Sequence, residues 1–266
     1  MHATVGEERF VNPPPSMKRS RSLWPREHGA YVQLLVPLVT ALACHLPTVV
    51  ALLLALASGL AFLANEPLLV VLGHRGPRMQ AHDGARARRR LAMLAALAIA
   101  TGGAALALAD RETLLMGALV APAAVAVTIL ATRGLEHSLA GQLLAAIALA
   151  GLAAPVAVAS GVLPATAIAI WIAWSAGFAC TVIAVHRVIA RHRKPASALD
   201  ILAVLAIGTI VVGGVLVTSS IVPVPFGALA LGLVARPPRA TRLRAIGVVV
   251  TVVAALAGAY LAIILA

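Results

Sequence analysis

One carboxylate, Glu66, stands inside a long apolar run, between Asn65 and Pro67. An acid at the centre of a membrane span costs about 3 kcal/mol, and less toward the interface. Such a group faces a cavity or a partner. Pro67 frees a backbone carbonyl one turn back, so acid, amide and carbonyl together form a polar notch. A second group opens the first apolar segment: Arg26, Glu27 and His28 follow Pro25, Gly29 comes next, and Gln33 lies about a turn further in. Pro25 suits the start of a helix and Glu27 its positive end. His28 adds an imidazole, a side chain suited to acid–base work. A third group, His186, Arg187 and Arg191, closes a later segment, and Arg75 and Arg78 follow the one that carries Glu66. Arginines clamp phosphates and carboxylates bidentately. The chemistry these residues suit is anion holding by Arg26, His28, Arg75, Arg78, Arg187 and Arg191, with Glu66 or His28 moving a proton. Asn65, Gln33, Glu27 and His186 complete the candidate ligand-binding set.

The plainer readings are structural. Glu66 pairs with a loop arginine and locks the bundle; Trp24 and Tyr31 anchor at the headgroups; the arginines flank their spans. No Walker-type glycine loop, HExxH, GxSxG elbow or paired Cys/His set occurs, so no metal site or cofactor is legible. Cys44 and Cys180 read as small buried hydrophobes.

The elements that hold these residues are membrane spans. The 266 residues are 61% hydrophobic and 11% charged, with a mean hydropathy of +1.00. Apolar runs reach the ~20 residues that cross a bilayer, and without a barrel's alternation only helices satisfy the backbone there. The expected fold is an all-α polytopic integral membrane protein of about nine transmembrane helices, near 29–46, 48–73, 91–109, 113–132, 138–158, 163–187, 199–218, 220–235 and 245–265. Residues 1–23 read as a disordered cytoplasmic tail and 24–266 as one transmembrane domain. The eighth span is the shortest and opens with Pro223 and Pro225.

Charge sets orientation. Of the 21 Lys and Arg residues, only Arg111 falls outside alternate gaps between spans. Lys and Arg flanking spans stay inside, so the N-terminus is expected in the cytoplasm and the C-terminus outside. The net charge of +12 is then a topology signal with anionic lipid headgroups as its partner, not nucleic acid. The alanine-rich composition points to a bacterial cytoplasmic membrane. His74-Arg75 with Arg78 resembles His186-Arg187 with Arg191, which suggests two halves of four helices and a ninth added.

The stretch Trp24-Pro25-Arg26-Glu27-His28-Gly29-Ala30-Tyr31, running into Leu34-Leu35-Val36-Pro37, resembles the opening of the YwiC-like family of bacterial membrane proteins. Asn65-Glu66-Pro67-Leu68-Leu69, with Gly73 and Arg75-Gly76 after it, is similar to a second feature of that family. The resemblance implies a membrane protein and supplies no catalytic residues. A looser, architectural resemblance is to the UbiA-type prenyltransferases, with nine helices and long cytoplasmic loops after helices 2 and 6. It implies a cytoplasm-facing cavity for an isoprenoid diphosphate. Asn65-Glu66 stands where their first Asp-rich motif begins, but Leu69 and Gly73 take the places of its later acids, and His186-Arg187 replaces an Asp pair. Magnesium wants several oxygens, so prenyl transfer here would proceed without the usual magnesium motifs. A small-solute transporter and a non-catalytic assembly factor are the alternatives.

Overall fold

A computed structural model describes residues 23–24, 28–191, 198–238 and 243–265. The described chain is helical throughout, without strands: α1 (His28–Ala43), α2 (Val49–Val71), α3 (Pro77–Leu108), α4 (Arg111–Thr132), α5 (Leu139–Gly151), α6 (Ala153–Ala159), α7 (Pro164–Arg191), α8 (Ala198–Thr218), α9 (Pro223–Ala235) and α10 (Leu243–Leu265). Seven helical runs are long and apolar enough to cross a membrane, with α5 and α6 forming one of them; α1 and α9 are apolar but shorter. The protein is thus an all-α, multi-pass membrane protein, and each expected span corresponds to one run.

Local chemistry starts and stops these helices. Thr48, Asp110 and Ser138 cap α2, α4 and α5, each accepting a hydrogen bond from the backbone N–H three residues on, which satisfies one orphan donor. Pro77, Pro164 and Pro223 occupy first helical positions, where the missing N–H costs nothing. The expected fifth span is one run interrupted at Leu152. Pro155 explains the break, because it cannot donate to the carbonyl of Gly151.

Two expectations change. The connection 74–90 is mostly helix: α3 starts at Pro77 and runs for 32 residues, about 48 Å at 1.5 Å per residue. Its basic first half therefore extends the span beyond a core of about 30 Å. Leu23, placed in the tail by the sequence, is fully buried with Val70, Met79 and Ala87, and Arg90 lies 4.6 Å above the Trp24 ring.

The helix α7 is central, packing against α5, α6, α8 and α9, while α1 packs against α10, α5 and α6. Trp174 and Phe178 of α7 and Phe226 of α9 form a closed aromatic cluster. A second cluster joins Cys44, Met116, Val156, Val162 and Ala167 at the end of the bundle away from the paired arginines.

Candidate ligand cavity at the arginine-bearing end

Two turns of the same construction shape this end. After α2, Gly73 takes φ +81°, the N–H of Gly73 donates to Val70 and that of His74 to Leu69. After α4, Gly134 takes φ +69°, its N–H donates to Ala131 and that of Leu135 to Leu130. Both are Schellman closures, whose left-handed residue suits glycine. Each throws the residue two places past its glycine, Arg75 or Glu136, back toward the bundle.

The turn after α2 brings Arg75 onto Glu66. Its Nε donates to Oε1 at 3.0 Å and its Nη2 to Oε2 at 2.6 Å. Glu66 is only 2% exposed. A two-pronged guanidinium–carboxylate pair is a strong charge-assisted contact and compensates the burial of the acid.

Beside this pair lies a cavity of about 510 Å³, walled by α1, α2, α4, α5, α7 and α10. Gln33, Asn65, Glu66 and Arg75 line it, as do Glu136 and Gln142. Toward its depth the wall is apolar, with Ala61, Phe62, Ala145, Leu149 and Leu152 joined by Ser58. From Glu66 to Ser58 along α2 the cavity reaches about 12 Å inward; the Cys44–Val156 cluster closes the bundle beyond.

The other expected residues lie elsewhere. Arg26 and Glu27 lie outside the described residues, as does the side chain of His28; Gly29, next to it, lines the cavity. Arg78 is exposed on the first turn of α3 and is not part of the lining, and half-buried His186 is not either, although Val185 and Ile189 beside it are. Arg187 and Arg191 turn to Asp200 at the start of α8. Nε and Nη2 of Arg187 donate to Oδ1 at 3.0 and 2.6 Å, and Nε of Arg191 donates to Oδ2 at 3.1 Å. Arg191 Nη1 also donates to the carbonyl of Val234 at 3.0 Å. This network ties α7, α8 and α9 together. Both His-Arg pairs thus end on a buried carboxylate, but Arg75 reaches back along the chain and Arg187 reaches forward.

Sequence reasoning passed over Glu136, Gln142 and Asp200. For Glu136 the signal was present: it follows Gly134 at the spacing by which Arg75 follows Gly73. Among the described residues no group of three or more His, Cys, Asp or Glu has a geometry for a metal ion.

Residues 24–158, just over half the chain, match the family described as YwiC-like protein. The chain belongs to the YwiC-like family. The match spans α1 to α6 and so includes the Glu66–Arg75 pair and Glu136, while α7 and α10 complete the cavity from outside it. No curated protein and no solved structure matches the chain.

Proposed function

We propose that this YwiC-like membrane protein binds an amphiphile in the cavity, with its apolar portion among Phe62, Ala145, Leu149 and Leu152 and its polar head at Gln33, Asn65, Glu66 and Arg75. The observation that carries the reading is the shape and polarity of the space: about 510 Å³, apolar in depth, with its charged groups near one end. Ligand sites in proteins have this size and this ratio of apolar wall to few polar groups. The positive-inside distribution puts the polar end on the cytoplasmic side, and we place the chain in the bacterial cytoplasmic membrane on composition. The exposed Arg78, Arg88 and Arg89 then face anionic headgroups.

The reading stops at binding. An isoprenoid diphosphate would have to be held by Arg26, His28 and Arg75. The first two side chains lie outside the described residues, and Arg75 already serves both oxygens of Glu66. Proton transfer by Glu66 in a prenyl-transfer step would first have to break that pair.

Native mass spectrometry of purified protein tests the proposal. Wild type should retain a stoichiometric amphiphile through detergent exchange. Ala145→Phe, which fills the wall, should lose it while keeping its thermal unfolding midpoint within a few degrees. A wild type that sheds all lipid on exchange and a variant indistinguishable from it would sink the reading.

A further inference from the structure

Among the described residues, the cavity wall has a seam between α2 and α4. Ala61, Asn65 and Leu69 stand on one face of α2 and line the cavity, and Ala124, Thr128 and Ala131 do the same on α4. The two helices nonetheless make no extended contact with each other. Elsewhere around the wall, neighbours pack directly: α4 on α5, α5 on α7, and α1 on α2, α5 and α10, while α9 packs on both α7 and α10. The helix that joins the two in sequence, α3, lies along α2 and makes no extended contact with α4.

The seam is closed at its ends and open between them. At the arginine-bearing end the turns after α2 and α4 meet: the His74 ring stands 3.9 Å from where a Cβ on Gly134 would be. At the deep end α6 packs on both α2 and α4. Between these closures Ala61 and Thr128 line the cavity and are exposed at the same time. Val125 and Ile129, beside the lining face of α4, are exposed as well. Ala61 lies about 15 Å from the end of α2 at Val71, and Thr128 about 6 Å from the end of α4 at Thr132. Both distances fall within half of a hydrocarbon core of about 30 Å.

We infer that the cavity opens sideways into the bilayer through the slot between α2 and α4. Its occupant is then a lipid resident in the leaflet at the arginine-bearing end, whose tail passes through that slot. This rests on the amphiphile reading and adds where the amphiphile comes from. A tail that moves from the acyl chains to Phe62 and Leu149 by this route never exposes its methylenes to water, which is the unfavourable part of moving an apolar chain. Alanine at 61 and 124 keeps the passage wide, and Asn65 meets the head at the side nearer Glu66.

A thiol placed inside the cavity reads the route of entry. In a Cys44→Ala, Cys180→Ala background, Ser58→Cys sets that thiol in the depth of the space, with the full-length protein in nanodiscs of phosphatidylglycerol and phosphatidylethanolamine. Labelling by N-dodecylmaleimide, dissolved in the bilayer, is compared with labelling by a sulfonated, water-borne maleimide through intact-protein mass spectrometry. The bilayer reagent should react about tenfold or more faster. Adding Ala124→Phe, which narrows the slot, should slow it about tenfold, and Ala124→Leu should slow it less and guards against a misfolded first variant. Ile99→Cys, on the exposed face of α3, should label at the same rate with or without either change. Equal or faster labelling of Ser58→Cys by the sulfonated reagent, or a bilayer rate unmoved by both Ala124 variants, overturns lateral entry. Wild type is also tested for retention of monolauroyl glycerol by native mass spectrometry. Labelling through the slot without such retention would leave the opening standing and remove the amphiphile reading; retention with labelling from water would remove the lateral route alone.

Discussion

Glu66 gives both carboxylate oxygens to one guanidinium, whereas Asp200 divides its two between Arg187 and Arg191. Both acids are buried and their arginines half-buried, so removing either charge leaves partly desolvated arginine without its counter-ion, at a cost of up to about 3 kcal/mol. Glu66→Gln and Asp200→Asn should therefore both lower the thermal unfolding midpoint in detergent. Their consequences for binding should differ, because Glu66 lines the cavity and Asp200 does not: Glu66→Gln weakens amphiphile retention, and Asp200→Asn leaves it intact. The pair can also be removed whole. Glu66→Leu with Arg75→Met should recover most of the stability lost by Glu66→Leu alone, since an apolar pair of similar volume replaces a buried ion pair at little net cost. Failure of that rescue would mean that Glu66 is held by more than Arg75. The sequence singles out Glu66 because an acid in an apolar run is conspicuous. Asp200 escapes notice because an acid in a helix's first turn is ordinary dipole chemistry, and Glu136 because an acid in a connection is ordinary solvent chemistry. Burial, which local sequence does not encode, distinguishes Glu66 and Asp200, and for Glu136 only the glycine spacing it shares with Arg75 gave a sign.

The turns act at the next scale up. Gly134 sits at φ +69°, a conformation that costs a residue with Cβ about 1 kcal/mol. Gly134→Ala should therefore cost about that much stability. It should also weaken amphiphile retention without touching Glu136, because the closure that brings Glu136 to the cavity loosens. Retention unchanged despite the lost stability would show that this wall of the cavity is positioned by α5 instead. Gly73→Ala has the same backbone penalty, and its added Cβ would stand 3.1 Å from Gln80 Oε1. Such capping signals, together with long apolar runs, made the helices readable to within a few residues. The basic half of α3 was not readable as helix from hydropathy, which falls away before Leu91. Helix propensity does not fall there: Ala81, Ala85 and Ala87 among arginines favour continuation, and Met79 and Ala87 have a buried face to fill.

For the whole molecule, orientation and crossing number stand or fall together at α9. Its 13 residues span about 20 Å, short of a hydrocarbon core of about 30 Å. A short span is accommodated by local thinning and by polar flanks reaching the interface, at fractions of a kcal/mol per Å. Burial of Phe226 and Ala230 against α7 and α8 holds the helix among its neighbours against that cost. Arg236 at its end favours the same side as Arg78 and the opposite side from Arg111. In a Cys44→Ala, Cys180→Ala background, Arg78→Cys and Arg236→Cys should react with an impermeant maleimide only after permeabilisation of the cells, and Arg111→Cys should react in intact ones. Labelling of Arg236→Cys in intact cells while Arg78→Cys stays protected would mean that α9 turns back. The chain would then cross eight times, α10 would run inward, and the cavity wall formed by Ile246, Gly247 and Val250 would enter from the outer side. Because those residues meet Glu66 and Glu136 in one cavity, the packing itself demands that α10 begin on the side where α2 and α4 end, which only a crossing α9 permits.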